Sequence, residues 1–309
     1  MRILVTGGAG YIGAALTEHL ARAPSVEHVT VYDNLSRGHR NFFSGRPRLP
    51  AGKVSFIEGE ILDSRKLRRV VPGHDAVVHL AGSVSTPFAE QGAHVFEQTN
   101  NWGTAELVYA VEETEVRTFI YMSSAAVYGA SSEWKDTTMP PHPSTYYGVS
   151  KLRGEGHVSR LASSSSAGRR VHIVRSGTVY GPGRSMRYET VVNRFVFDAH
   201  FARRMTVHGD GEQHRPVVHI DKVVTVLAYA IETGLPAPTV DLVDRTMSVS
   251  EIVDAVRTVY PDLELLFVNQ HMRLLDLKVR PDPSILALFG VETPDLEAEL
   301  RAFKGFFSF

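Results

Sequence analysis

The sequence predicts an α/β fold, a parallel sheet with helices on both faces. Two observations carry that expectation. Short apolar runs, "RILVTG", "HVTVYD", "KVSFIEG", "DAVVHLAG" and "TFIYMSS", alternate with helical segments over the first 124 residues. The first of these runs enters a glycine-rich turn that opens directly into an amphipathic helix. With 309 residues there is enough chain for one large or two small domains, each with its own core.

The composition narrows the function classes. Hydrophobic residues at 43% and charged residues at 22% are those of an ordinary soluble protein. A net charge of −1 gives no reason to expect nucleic acid or an anionic membrane as partner. The absence of cysteine removes disulfides, thiolate metal sites and cysteine nucleophiles, and fits a reducing compartment. The 14 histidines are scattered without paired-ligand spacing, so no metal site is expected. "MRILVTGGAG" is too short an apolar run for a signal peptide, and no stretch nears the roughly eighteen residues of a membrane span. A soluble, cytoplasmic protein is the expectation.

Taken in order, Ile3 to Val5 form a buried-strand pattern ending at Gly7-Gly8-Ala9-Gly10-Tyr11-Ile12-Gly13. Gly7 permits a tight turn, Gly10 admits close approach of a pyrophosphate, and Gly13 lets helix pack on strand. The helix N-terminus then offers free N–H groups and positive dipole to phosphate. The second strand ends at Asp33, whose carboxylate suits the ribose hydroxyls of a dinucleotide and repels a 2′-phosphate. The plainer reading is a turn aspartate in "DNLSRG". Arg37 and Arg40 leave NADP as an alternative to NAD. After the third strand, Asp63 is placed to cap "SRKLRRVV", and the loop after Leu80 lies at a carboxyl end of the sheet, where such folds bind ligands.

The fifth strand ends in Ser123 and Ser124, and "STYYGVSK" follows about twenty residues on. Residues four apart share a helix face, whereas residues five apart do not. Lys151 is four from Tyr147 and five from Tyr146, so the spacing selects Tyr147. A phenol with pKa near 10 needs help to act as a base at neutral pH, and a neighbouring ammonium is expected to supply it. A serine hydroxyl at an adjacent strand end can hold the same substrate oxygen. The alternative is a helical tyrosine packed on a lysine stem. Its place after a glycine motif, an acidic strand end and a serine strand end, in that order, favours catalysis.

Read together, "TGGAGYIG", "YDNLSRG", "HLAG", "NNWGT", "SSAAVYG", "YYGVSK", "VYGPG", "GDGEQHRPVVHI" and "DPSILALFGV" resemble the extended short-chain dehydrogenases/reductases, in their nucleotide-sugar epimerase/dehydratase branch. The resemblance runs from residue 6 to about 291. It implies a Rossmann domain for NAD over 1–176, with a return near 217–245, and a smaller C-terminal domain for the nucleotide-diphosphate sugar over 177–216 and 246–309. It implies Ser124, Tyr147 and Lys151 as catalytic residues. NAD would be held by Gly7, Gly10, Tyr11, Ile12 and Gly13, by Asp33 and Asn34, and by Glu60 and Ile61. Leu80, Ala81 and Gly82 would line it, with Asn100, Tyr147 and Lys151 near the reacting ring. Ser83, Ser124, Ala125 and Thr178 would border the sugar. A homodimer through two long helices, 91–113 and 146–162, is also implied.

The chain departs from that pattern at informative places. Where dehydratases and decarboxylases of the family carry acidic residues after the serine or threonine, this chain has Ala125 and Ala126, as epimerases have small neutral ones. Thr178 replaces an asparagine used for the nucleotide phosphates, and cannot copy an amide's donor geometry. Arg184, Arg187 or Asn193 would then take over that role. Arg215, in "GDGEQHRPVVHI", is expected on the diphosphate, where a guanidinium can bond bidentately. Gly59-Glu60 stands for the usual "GD", and Arg273 for a missing C-terminal "RxGD" arginine. "VHIVRSG" reads as a sixth strand, "RPVVHIDKVVTVLAYAIE" as the return to the first domain, and "DLEAELRAFKGFF" as a final amphipathic helix. Three functions follow: a C4 epimerase, an NAD(P)H-dependent ketoreductase, and a non-catalytic NAD sensor. The intact Ser124, Tyr147 and Lys151 argue against the last.

Overall fold

A computed structural model describes residues 1–38, 41–44, 48–84, 92–164, 168–268, 276–290 and 295–307. The chain opens with β1 (Arg2–Thr6), α1 (Tyr11–Arg22), β2 (His28–Asp33), α2 (Asn41–Ser44), β3 (Val54–Glu58), α3 (Ser64–Val70) and β4 (Ala76–His79). A long helical stretch follows: α4 (Ala93–Phe96), a π segment (Glu97–Trp102) and α5 (Gly103–Glu112). Next come β5 (Thr118–Ser124), a 3-10 turn (Ala125–Tyr128), β6 (Ser131–Lys135), α6 (Tyr146–Ser164) and β7 (Arg170–Ser176). The rest comprises β8 (Thr178–Tyr180), α7 (Val191–Phe201), β9 (Arg204–His208), β10 (His214–His219), α8 (Ile220–Glu232) and β11 (Thr239–Leu242). It ends with β12 (Arg245–Ser248), α9 (Val249–Val259), β13 (Glu264–Val268), β14 (Leu277–Val279), α10 (Pro283–Leu286) and α11 (Leu296–Phe306).

Seven strands form the central sheet in the order β11-β7-β5-β4-β1-β2-β3, and every pairing in it is parallel. Because both faces are covered, its inner strands carry apolar residues toward both sides rather than at alternate positions only. Ile3, Val5, Val31 and Val78 pack on one face with Leu16 and Leu20 of α1 and Val223 and Leu227 of α8. Leu4, Val77 and Phe119 pack on the other with Leu67 of α3, Leu107 and Val111 of α5, and Leu161 of α6. Asp63 caps α3, its carboxylate accepting from the Lys66 amide at 2.9 Å. The chain leaves β1 toward β2 and β3, then crosses back to β4 and runs the other way. The switch between β1 and β4 opens a crevice at their carboxyl ends.

A second layer of structure stands at that carboxyl edge. The small sheet β12-β10-β8 and the pairs β13-β9 and β14-β6 lie outside the central sheet. Helices α7, α9 and α11 share a separate apolar core with Tyr180, Met205 and Val207. Although α8 and β11 serve the central sheet, β10 just before them belongs to the small one. Among the described residues no helix is long and apolar enough to cross a membrane.

A buried ionic cluster joins the two layers. The Lys222 ammonium on α8 lies 2.6 Å from Asp244 and 2.7 Å from Glu299 on α11. Arg245 reaches Asp244 at 2.6 Å and Glu299 at 3.5 Å, and the Tyr180 hydroxyl donates to Glu299. Removing one member of such a cluster strands the others out of water. Lys222→Met is expected to cost about 3–5 kcal/mol of unfolding free energy, read from urea denaturation. A loss below about 1 kcal/mol, as for an exposed pair, would show that the cluster contributes little to holding α11 in place.

Candidate active site

The site is assembled on the carboxyl edge of the sheet. Gly7 leaves β1 with φ +70°, and a Cβ there would lie 2.5 Å from the Ala81 amide nitrogen. A Cβ on Gly13 would collide with the Gly7 carbonyl oxygen. The loop from β1 can therefore cross the β4 loop and let α1 start only with glycine at both positions. Gly10 is the N-cap of α1 and brings no side chain to it, so the first amides of the helix, those of Tyr11 and Ile12, are left for a ligand. This bare cradle fits a dinucleotide diphosphate.

Asp33 closes the cradle. Its carboxylate accepts from the Ala9 amide at 3.0 Å and the Leu35 amide at 2.8 Å, and Leu35 adopts φ +55° in that turn. Asn34 donates to both oxygens of Glu60 at 2.9 and 3.1 Å, while the Tyr32 hydroxyl donates to the Glu60 carbonyl at 2.8 Å. Asn34 and Glu60 are thus brought together beside Asp33. Ile61 is buried and packs under the helical stretch at Gly103. Leu80 is bonded to Thr6 of β1 through its amide at 3.0 Å, and Ala81 lies over Gly7. Arg37 is exposed in the turn after Asp33; Arg40 and Arg273 lie outside the described residues.

The candidate acid/base groups meet beyond this cradle. The Ser124 hydroxyl ends β5, accepting from the Ala126 amide at 3.2 Å, and stands near enough to the Tyr147 phenol to influence it. Tyr146 is 61% exposed, whereas Tyr147 turns inward, its ring edge-on to Phe96 at 6.0 Å between centroids. One turn later Lys151 is buried, and its Nζ donates to the Met122 carbonyl at 2.8 Å. Asn100 sits in the π segment, where the extra residue per turn rotates its side chain toward the site. Its carboxamide accepts from the Ser83 amide at 2.8 Å and donates to the Ser83 carbonyl at 2.9 Å and the Ser150 hydroxyl at 3.0 Å. That clamps the Gly82–Ser83 loop beside Lys151.

Burial dominates the electrostatics of the site. It pushes the Tyr147 phenol above its ordinary value, and the opposing influences are the Ser124 hydroxyl and the charge of Arg187. Burial brings Lys151 itself down to about 8, with the Glu155 carboxylate working the other way.

Several expected sugar-binding residues are used differently. Asn193 is fully buried, accepting from the Gly181 amide at 2.9 Å and donating to the Arg187 carbonyl at 2.8 Å. Its carboxamide braces the turn after β8. Tyr11 likewise spends its hydroxyl on the Gly181 carbonyl, leaving only its backbone amide to the cradle. Arg184 donates to Glu18 of α1 at 2.8 Å, tying this loop to the first helix. Arg187 pairs with Glu189 at 3.8 Å and is the one arginine of this loop whose charge reaches Tyr147. Thr178 is half-buried in β8 beside Val217, and Ala125 is buried in the 3-10 turn. Arg215, in β10, donates to the His214 carbonyl at 2.8 Å, and burial lowers its guanidinium against the nearby Asp276. Sequence reasoning missed Ser150, Glu155 and Arg175. Glu155 was within reach of the spacing rule, being four residues past Lys151.

Asp33→Ala is expected to weaken NAD binding on the order of ten- to a hundredfold and to narrow the preference over NADP, measured by titration of both cofactors. Asp33→Asn keeps an acceptor for the Ala9 amide and separates the ribose contact from the loop brace. A wild-type preference for NADP would assign that end of the cleft to the arginines instead.

The profile of the NAD dependent epimerase/dehydratase family matches residues 3–241. A dTDP-glucose 4,6-dehydratase from Streptomyces niveus is 31% identical over 227 residues, covering 71% of this chain and 66% of the relative. A UDP-glucose 4-epimerase from Erwinia amylovora is 36% identical over 159 residues, 50% of this chain and 47% of the relative. The chain spans about two thirds of the length of the dehydratases it matches. Among solved structures, the UDP-glucuronic acid 4-epimerase of Bacillus cereus, in complex with UDP-glucuronic acid and NAD, superposes with a TM-score of 0.83 at 25% identity, covering 99% of this chain and 98% of that one. TunA, an NAD-dependent NDP-hexosamine 5,6-dehydratase, gives 0.82 at 26%, covering 99% and 97%. A crevice at the sheet's switch point, a glycine cradle and a match across most of the chain agree, and the protein belongs to the NAD dependent epimerase/dehydratase family and uses NAD as its cofactor.

Proposed function

We propose that this enzyme is a nucleotide-diphosphate-sugar epimerase that inverts C4 through a transient 4-keto sugar. The observation that carries this reading is the pair Ala125 and Ala126 directly after Ser124. Alanine can neither give nor take a proton, so these two positions offer no acid beside the serine to expel water. Of the described carboxylates, Glu155 lies nearest in sequence to Lys151, and it is already held by Arg175 and Ser123.

In this reading the NAD cradle is Gly7, Gly10, Gly13 and Asp33, and the sugar nucleotide lies against residues 177–216 and 246–309. Bound NAD supplies a hydride acceptor and donor at the sugar carbon. Tyr147 removes the C4 hydroxyl proton, Ser124 holds the same oxygen, and the Lys151 ammonium favours the phenolate. Arg187 adds a second positive charge facing the phenol. Once the keto sugar has turned its other face, Tyr147 returns the proton.

Dehydration is the second reading, because dehydratases of Streptomyces niveus and of Homo sapiens are 31% and 30% identical to this chain. Product mass separates the two. With UDP-glucose, UDP-glucuronic acid and dTDP-glucose as probes, the epimerase yields a product of unchanged mass at a new chromatographic position. No reduced cofactor is consumed, and no solvent deuterium enters C4. Tyr147→Phe is expected to lower kcat on the order of 100- to 10,000-fold while NAD still binds, and Tyr146→Phe to leave it near wild type. A product lighter by one water would make the enzyme a dehydratase. One heavier by two hydrogens, formed only with added NADH or NADPH, would make it a ketoreductase.

A homodimer fits the exposed surface of the α4–α5 stretch. Val95, Trp102 and Tyr109 are 42%, 56% and 42% exposed, an apolar surface suited to a helix pair from a second copy. Light scattering is expected to give a dimer for the wild type and a monomer for Trp102→Glu. A monomeric wild type would remove this interface.

A further inference from the structure

A buried polar chain runs beneath the reacting groups. Glu155 follows Lys151 by one helical turn on α6, so the two share a face. The Glu155 carboxylate accepts from the Ser123 hydroxyl at 2.5 Å, and from the Arg175 guanidinium through paired bonds of 3.0 and 2.8 Å. Arg175 also donates to the Tyr128 hydroxyl at 3.0 Å, which in turn donates to the Asp241 carboxylate at 2.9 Å. Glu155 and Arg175 are 5% and 7% exposed.

A buried ion pair gains little stability over an apolar pair of the same volume, so stability alone does not account for these charges. Their position does. Ser123 precedes Ser124 on β5, Glu155 shares a helix face with Lys151, and Arg175 anchors both to β7. We propose that Glu155, held by Arg175, is a positioning residue for the catalytic trio: its fixed negative charge keeps Lys151 an ammonium, and its bond to Ser123 sets the separation of β5 and α6. This rests on reading Tyr147 and Lys151 as the acid/base pair.

The surroundings of Lys151 support the electrostatic part. His79 faces it from β4 as a neutral ring, pushed down to about 3 by burial. Tyr121 faces it from β5 with its ring centroid 5.0 Å from Nζ. Tyr147 faces it from α6, its phenol raised and neutral, and Asn100 from the π segment is uncharged. Of these neighbours Glu155 alone is negative, and it opposes the burial that lowers Lys151 to about 8. Arg175 touches Glu155 from β7 on the far side.

The test uses the full chain and NAD, with affinity read from quenching of tryptophan fluorescence between pH 7 and 10. Lys151 Nζ would lie 3.2 Å from a Cβ on Gly82, in the loop beside the cradle, so cofactor binding senses its charge. Wild-type affinity is expected to fall as pH rises through the Lys151 titration. The double variant Glu155→Gln, Arg175→Met removes both charges without stranding either, and should move that midpoint down by on the order of one pH unit. Glu155→Gln alone should move it the same way, and Glu155→Asp should keep it. An unchanged midpoint in the glutamine variants, with affinity lowered equally at every pH, would overturn the proposal and leave Glu155 a brace. Lys151→Met should abolish the alkaline fall. If the fall persists there, Lys151 is not the titrating group, and the acid/base reading fails together with the proposal.

Discussion

Every strand of the central sheet runs in the same direction, and this constraint decides where everything else must be. Parallel strands need crossover helices, so both faces of the sheet are covered and only its edges reach solvent. The chain works outward from β1 to β3, then restarts at β4 and works outward the other way to β11. Two loops that part from each other, those after β1 and β4, leave a crevice that neither fills. The glycine cradle, the Asp33 turn, the Gly82–Ser83 loop and Ser124 all stand on that one edge. Nothing in the chemistry of these residues would assemble them without it.

Burial then sets the cost of putting charge at that edge. Lys151, Glu155 and Arg175 are all withdrawn from water, and each is tolerated because a polar partner meets it there. The Lys151 ammonium rests on a backbone carbonyl, and the Glu155 carboxylate takes three hydrogen bonds from two partners. The same arithmetic operates at the joint between the layers, where Lys222, Arg245, Asp244 and Glu299 neutralise one another. A second tie comes from the loop after β8, which reaches α1 through Tyr11 and through Arg184 with Glu18. The loop that carries Arg187 toward the phenol is thereby fixed to the helix whose N-terminus forms the cradle.

Short-range pattern was the legible part. A glycine run between a strand and a helix has few physical uses, and Asp33 stands at the strand end where a ribose would lie. A spacing of four against five distinguishes two neighbouring tyrosines because helical geometry is fixed, and Tyr147 is the one that turns inward. The alternation of apolar runs carried the first five strands of the sheet and their flanking helices, and the apolar face read in "DKVVTVLAYAIE" is that of α8. The small strand β6 carried no such signal: "SSEWK" is mostly polar and pairs only at a peripheral edge with β14.

What a side chain does once it arrives was decided only in three dimensions. Asn193 and Arg184 were readable as polar residues near the sugar, but a fully buried amide must bond the nearest backbone, and an arginine beside Glu18 is drawn to it. The orientation of Lys151 was equally out of reach, since the Met122 carbonyl that holds it lies 29 residues away in the chain. By itself the sequence determined the fold class, and it singled out the glycine turn and Tyr147 as candidates, because each follows from local spacing and the stereochemistry of glycine and helix. The tertiary structure alone decided which charges meet, which are buried and which amides are spent, because those depend on contacts between residues far apart in the chain and on the water that packing removes.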